Sequence, residues 1–134
     1  QSRKDLTQIM VAHHLPYVAQ TAAFANFKDL YEKSEKAIYT EGATFLNVLA
    51  PCPRGWGYAT EDLMKINKLA IDTCYWPLYK PAKKLPIEEF LRPQKRFKHM
   101  FKPGNEWMIE EFQKEVDKRW QELLNLEEMT NIAQ

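Results

Sequence analysis

The sequence predicts an α/β fold organised on a parallel sheet, and three observations carry that prediction. "PYVAQTAAF" is a short run, β-branched at Val18 and closed by small and polar residues, as a buried strand is. "ATFLNVLA" is a nearly continuous apolar run of strand length, the pattern of a parallel strand covered on both faces. Each run is followed by an amphipathic stretch, so the order is strand, helix, strand, helix, the grammar of right-handed crossovers. Two strands are too few for a complete sheet of this kind.

The elements follow in order. "RKDLTQIMVAHH" places apolar Leu6, Ile9 and Met10 at helical spacing behind Asp5, which predicts a short helix ending near Leu15-Pro16. After the first strand Asn26 caps a helix from Phe27 to Thr40. Phe27, Leu30, Tyr31, Ala37 and Ile38 form its apolar stripe, and Gly42 stops it. Beyond the second strand, Thr60 with Glu61 and Asp62 behind it is a helix start: a hydroxyl cap and first-turn acids suited to the helix dipole. Leu63, Ile66, Ala70, Ile71 and Cys74 continue that helix as a buried stripe. "KPAKKLPIEEFLRPQKRFKHMFKPGN" is rich in proline and lysine without a sustained period, and reads as an extended segment wrapping over a surface. A last helix from Asn105 to about Leu126 carries Ile109, Phe112, Val116, Trp120, Leu123 and Leu124 on one face. Glu110-Lys114 and Glu115-Arg119 pair along it, and a frayed tail follows from Met129.

Bulk properties bound the function. With 134 residues, 45% apolar and 13% aromatic, the chain has one core to bury. Its net charge of +1 leaves no strong field to attract a polyanion, so nucleic acid is not an expected partner. No apolar run approaches the roughly 18 residues that span a bilayer, and "QSRKDLTQIM" has no signal-peptide core, so no membrane association and a cytoplasmic location are expected. Cys52 and Cys74 cannot form a disulfide framework. They read as thiols or as ligands of a site completed from elsewhere, because thiolate-held clusters and structural zinc want about four ligands.

Several side chains have competing readings. Free cysteine is ordinarily a small buried hydrophobe; Cys74, on a helix stripe, fits that reading, whereas Cys52 stands in the stiff sequence Pro-Cys-Pro ahead of Gly-Trp-Gly. His13 and His14 are adjacent on a helix, point about 100° apart and have no partner at ligand spacing. Arg92, Lys95, Arg96, Lys98 and His99, with Phe97 among them, make a basic patch that reads as a solvated or subunit-facing surface. Tyr75, Trp76 and Tyr79 around Pro77 read as packing or subunit contact.

At "LAPCPRGWGY", followed by "LAIDTCYWPLYK", the chain resembles the β subunit of the 2-oxoacid:ferredoxin oxidoreductases, most closely the pyruvate:ferredoxin (pyruvate synthase) branch. "KDLTQIMVAHHLPYVAQT", "FLNVLAPCPRGW", "YWPLYK", "LPIEEFLRPQKRFKHM" and "EVDKRWQELL" carry the resemblance in order along essentially the whole chain. It implies the C-terminal half of a thiamine diphosphate-binding, doubly wound α/β sheet over residues 1–80, then the extended segment 81–104 and the helix and tail 105–134. It further implies oxidative decarboxylation of a 2-oxoacid, with coenzyme A, ferredoxin and other subunits as partners. Thiamine diphosphate, Mg²⁺ and 4Fe-4S clusters would be the cofactors.

The family's Gly-Asp-Gly motif for the magnesium diphosphate has no counterpart in the sequence, nor do the family's N-terminal cysteines. Cys52 matches the fourth cysteine of the cluster nearest the thiamine and is the implied 4Fe-4S ligand; no catalytic side chain is assigned. A loop at the C-terminal edge of a parallel strand lies where open α/β sheets bind ligands, and flanking prolines aim the cysteine outward. Gly55 and Gly57 would let backbone N–H groups approach the cluster, and Trp56 would shield it. The 134-residue chain alone is expected to be inactive. A non-catalytic interaction module is the rival reading; an RNA-binding domain, betrayed by steep salt dependence, is a third.

Overall fold

The computed structural model of the chain describes residues 3–78 and 84–132. Tyr79 lies outside these. Helix α1 (Leu6–Ala12) leads into strand β1 (Tyr17–Ala22), helix α2 (Phe27–Tyr39) and strand β2 (Thr44–Leu49). The strands pair in parallel, Tyr17 opposite Thr44 through Ala22 opposite Leu49, so β1-α2-β2 is one crossover unit. Then come the single-turn helix α3 (Pro53–Trp56), a 3₁₀ turn (Thr60–Asp62) and α4 (Leu63–Asp72). Helix α5 (Ile87–Leu91), a second 3₁₀ segment (Lys95–Phe101) and the long helix α6 (Glu106–Ile132) complete the order.

The core gathers beyond the C-terminal ends of the strands. Ala22 and Leu49, the last residues of β1 and β2, join Ile66 and Ala70 of α4, Ile87, Phe90 and Leu91 of α5, and Val116 and Trp120 of α6. The proline- and lysine-rich stretch expected to be extended therefore contributes a helix to the centre. Ile87, Phe90 and Leu91 are 0–1% exposed, each stabilising the fold by about 1.5–3 kcal/mol. The helix is only five residues long and is flanked by prolines and lysines, which is why composition misled there. At the C-terminus the helix runs on to Ile132 rather than stopping near Leu126, since no glycine or proline ends it.

Several faces differ from the periodicity. On α1, Leu6 and Ile9 are more than 40% exposed while Thr7 is buried. On α2, Phe27, Tyr31 and Ile38 of the expected stripe are 60–76% exposed, and Asp29 is 1% exposed. The inward face of α2 is ionic. Asp29 accepts from the Thr21 hydroxyl at 2.7 Å and from the Lys33 ammonium at 2.9 Å, and Lys33 also donates to the Gln20 carbonyl at 2.7 Å. An apolar count cannot see such a pair.

Strand β2 is not covered on both faces: only Leu49 is buried, and Val48 is 39% exposed. Thr60 is not an N-cap. Asp62 precedes α4 without a side-chain cap bond, the acids being taken up in the 3₁₀ turn. Asp5 caps α1 by accepting from the Gln8 N–H, and Asn26 caps α2 by accepting from the Asp29 N–H. On α6, Lys114 donates to Glu111 at 2.9 Å and Arg119 reaches Asp5 at 3.7 Å; tertiary contact overrode the i, i+4 pairing for Arg119.

Candidate functional site: the Cys52 turn

Leaving β2, the chain passes exposed Ala50 and buried Pro51 to Cys52, which is exposed. Cys52 is extended (φ −99°, ψ 111°) and serves as N-cap of α3, whose first residue is Pro53. Proline suits that first position because its φ is preset and its missing N–H is not needed there. The Gly55 N–H donates to Cys52 Sγ at 3.2 Å, and the Trp56 N–H donates to the Cys52 carbonyl at 2.9 Å. Two ties therefore hold the cysteine while its sulfur stays open to solvent.

The turn closes at Gly57, in the left-handed region with φ +71°. Its N–H donates to the Pro53 carbonyl at 2.9 Å, so that N–H is engaged within the turn. Its own carbonyl accepts from the Lys95 N–H at 2.8 Å. A Cβ at position 57 would lie 2.7 Å from Lys95 Cβ, whereas one at Gly55 would meet Cys52 Sγ at an ordinary 3.5 Å. Glycine is demanded at 57 by both conformation and close approach.

Trp56 lies half-buried, edge-on to Phe90 at 5.9 Å and to Tyr58 at 6.5 Å. The Arg96 guanidinium sits over the Trp56 ring at 4.0 Å and the Phe97 ring at 4.4 Å, and its Nε donates to Gln94 Oε1 at 2.8 Å. Gln94, 1% exposed, is fixed in turn by its bond to the Phe90 carbonyl. The Arg96 Nη2 and Tyr58 hydroxyl are buried and have no hydrogen-bond partner. Burial lowers the Arg96 pKa, partly offset by Tyr75 and Tyr58. Burial also raises the Tyr58 pKa; Cys52 raises it further and Arg96 opposes this.

Of the residues singled out by sequence, Cys52, Gly55 and Trp56 come together in this turn. Cys74 is elsewhere, 4% exposed in the core, with burial pushing its thiol pKa up. His13 and His14 are exposed on the far side of β1 in sequence, and among the described residues no group of three or more His, Cys, Asp or Glu side chains is placed to hold a metal. The exposed Cys52 thiol belongs to no such group among the described residues. Tyr75 stacks on Phe90 at 4.5 Å, and the Trp76 indole N–H donates to the Thr21 carbonyl at 2.8 Å, so both pack inside the chain. The basic patch divides: Lys95, Lys98 and His99 are exposed, Arg92 pairs with Glu88, and Arg96 turns onto Trp56. The sequence reading places Arg96 in a solvated or subunit-facing patch and does not single out Tyr58, whereas Arg96 packs on Trp56. The Arg96 contact spans forty positions and leaves no local signature.

No protein-family model matches the chain. Among curated proteins it is 39% identical to pyruvate synthase subunit PorB of Thermotoga maritima, over 97% of this chain and 44% of that protein. It is 41% identical to pyruvate synthase subunit PorB of Methanocaldococcus jannaschii, over 87% of this chain and 41% of that protein. Ketoisovalerate oxidoreductase subunit VorB of Pyrococcus furiosus is 38% identical, over 95% of this chain and 43% of that protein. The chain spans less than half the length of these relatives, and no helix among its described residues is long and apolar enough to cross a membrane. Over most of its length the chain is thus similar, at 38–41% identity, to PorB and VorB subunits, which are β subunits of 2-oxoacid:ferredoxin oxidoreductases.

Proposed function

We propose that the chain is part of a subunit that oxidatively decarboxylates a 2-oxoacid, pyruvate in the first instance, and that Cys52 supplies one thiolate to a 4Fe-4S cluster on the electron path to ferredoxin. In the overall reaction the 2-oxoacid loses carbon dioxide and its acyl carbon gives up two electrons. Coenzyme A takes the acyl group and loses its thiol proton, and two ferredoxins take one electron each. Thiamine diphosphate, when bound with Mg²⁺, supplies the electron sink for the carbanion left by decarboxylation. Its site, like the other cluster thiolates, falls to polypeptide outside these 134 residues. The pairing of β1 and β2 and the half-exposed faces of β2 and α2 support reading this part as one half of a doubly wound sheet.

The single observation carrying the proposal is the exposed Cys52 sulfur, held by the Gly55 N–H just past the C-terminal end of β2. A turn there faces the side on which open α/β sheets bind ligands. The turn's own contribution is to point a sulfur outward, deliver one N–H to it and brace it against Trp56. The test is Cys52→Ala in the complete oxidoreductase complex, with iron and acid-labile sulfide measured per complex. Loss of one cluster's worth of iron and of its electron paramagnetic resonance signal is expected. Full iron content with an unchanged spectrum would end the proposal.

A further inference from the structure

We propose that the outward face of α2 is a self-association surface, packing antiparallel about a two-fold axis against α2 of a second copy of this chain. The inference is independent of the ligand reading of Cys52. Phe27, Tyr31, Ser34 and Ile38 follow one another at spacings of four, three and four, so they share one face of the helix. Phe27 is 60%, Tyr31 65% and Ile38 76% exposed. The opposite face is the one that meets the protein: Asp29 is buried, pairs with Lys33 at 2.9 Å, and α2 packs on β1 and β2. The helix therefore turns its apolar stripe away from its own sheet. Strands added at the edges of that sheet would lie beside α2 and leave the stripe uncovered.

An exposed apolar stripe with charges along its rim has the anatomy of an interface. The order of residues along it selects the occupant, because a two-fold contact must be complementary to itself. With two copies of α2 antiparallel, the register that centres the stripe sets Phe27 against Ile38 and the large Tyr31 against the small Ser34. The same register brings Lys28 of one copy within about half a turn, ~3 Å along the axis, of Glu35 of the other. Lys28 and Glu35 lie on the same flank of the stripe, and both are exposed. The Lys28 side chain is 84% exposed and 3.7 Å from Glu32, while Glu35 accepts from the Tyr31 hydroxyl at 3.3 Å. Two symmetric Lys–Glu pairs result. A parallel pairing would instead set Lys28 against Lys28, Glu35 against Glu35 and Tyr31 against Tyr31, which like charges and bulk both oppose.

The experiment uses the complete oxidoreductase complex, with Phe27→Cys and Ile38→Cys together in this subunit, treated with a short bis-maleimide that joins neighbouring thiols. A covalent dimer of the subunit is expected on a denaturing gel above the wild-type background set by exposed Cys52, with position 27 joined to position 38 by peptide mass spectrometry. Within one copy these positions are about 16 Å apart, and in the proposed dimer so are the two copies of either position, so neither single variant should link. Adding Lys28→Glu should lower the dimer yield about threefold by opposing like charges, and adding Glu35→Lys as well should restore it. All the altered positions are exposed, and full iron content confirms that each variant assembles. No dimer in an assembled complex, a link from either position to a different subunit, or a yield that the charge exchange does not restore overturns the inference. None of these results touches the reading of Cys52.

Discussion

Gly57→Ala examines the link between backbone geometry and the Cys52 turn most directly. Gly57 has φ +71°, and a left-handed conformation costs an alanine about 1–2 kcal/mol. The added methyl would also stand 2.7 Å from Lys95 Cβ, where comfortable carbon contacts are about 3.5–4.0 Å. Relief needs a shift of roughly an ångström in residue 95, which costs a further 1–3 kcal/mol or so as overpacking. That shift would also lengthen the 2.8 Å bond from the Lys95 N–H to the Gly57 carbonyl. The expected destabilisation is about 2–5 kcal/mol, read from urea unfolding followed by tryptophan fluorescence.

Gly55→Ala is the matched control. Position 55 lies inside α3, and its new Cβ would meet Cys52 Sγ at 3.5 Å, an ordinary contact. Alanine is the better helix former by up to about 1 kcal/mol, so this variant should be neutral or slightly stabilised. If Gly57→Ala unfolds within about 0.5 kcal/mol of wild type, or if Gly55→Ala is the more damaging of the two, the account of the turn is wrong.

Two further predictions concern the rest of the fold. Asp29→Ala should cost about 3–5 kcal/mol in urea unfolding, because it strands the Lys33 ammonium, whose side chain is 15% exposed, beside the Thr21 hydroxyl; Asp29→Ala combined with Lys33→Met should recover part of that loss, and a single-variant cost under about 1 kcal/mol would refute the buried pair as the anchor of α2. Burial raises the Cys74 thiol pKa in the folded chain, so the unfolded chain loses that proton first. The contribution to stability is whole below about pH 8.5, the free-thiol value, and falls as pH rises towards the folded value. Urea midpoints should therefore decline over that alkaline range, and Cys74→Ala should flatten the decline; an identical pH slope in the variant would refute the assignment.

What could be read from sequence follows a physical division. The β1-α2-β2 crossover was legible because a β-branched run, an Asn26 cap and a continuous apolar run each signal through neighbouring residues. The Cys52 turn was legible for the same reason: prolines at 51 and 53 and glycines at 55 and 57 are local constraints. The inward face of α2 was not, because Asp29 and Lys33 earn burial from Thr21 and the Gln20 carbonyl on another element. Helix α5 was hidden by the prolines and lysines around it, although Ile87, Phe90 and Leu91 lie at the spacing of one helix face. Arg96 looked like one more charge in a basic run. Its partner ring belongs to residue 56, and only the fold brings the two together.

The two cysteines stand in opposite environments. Cys74 follows the last turn of α4 with φ +61°, its N–H donating to the Ile71 carbonyl, and its sulfur faces the core. There desolvation favours the neutral thiol, which suits packing and opposes the thiolate that a metal requires. Cys52 has the reverse arrangement: solvent at the sulfur, a backbone N–H aimed at it, and rigidity supplied by prolines and the Gly57–Lys95 contact instead of by burial. An exposed thiol on a mobile loop would give no defined geometry, and a buried one would leave no room for a ligand. Holding the backbone while leaving the thiol exposed is what the proposed ligand role asks for, and it needs the turn and the Lys95–Arg96 segment together, since Gly57 and Trp56 are braced from residues 95 and 96.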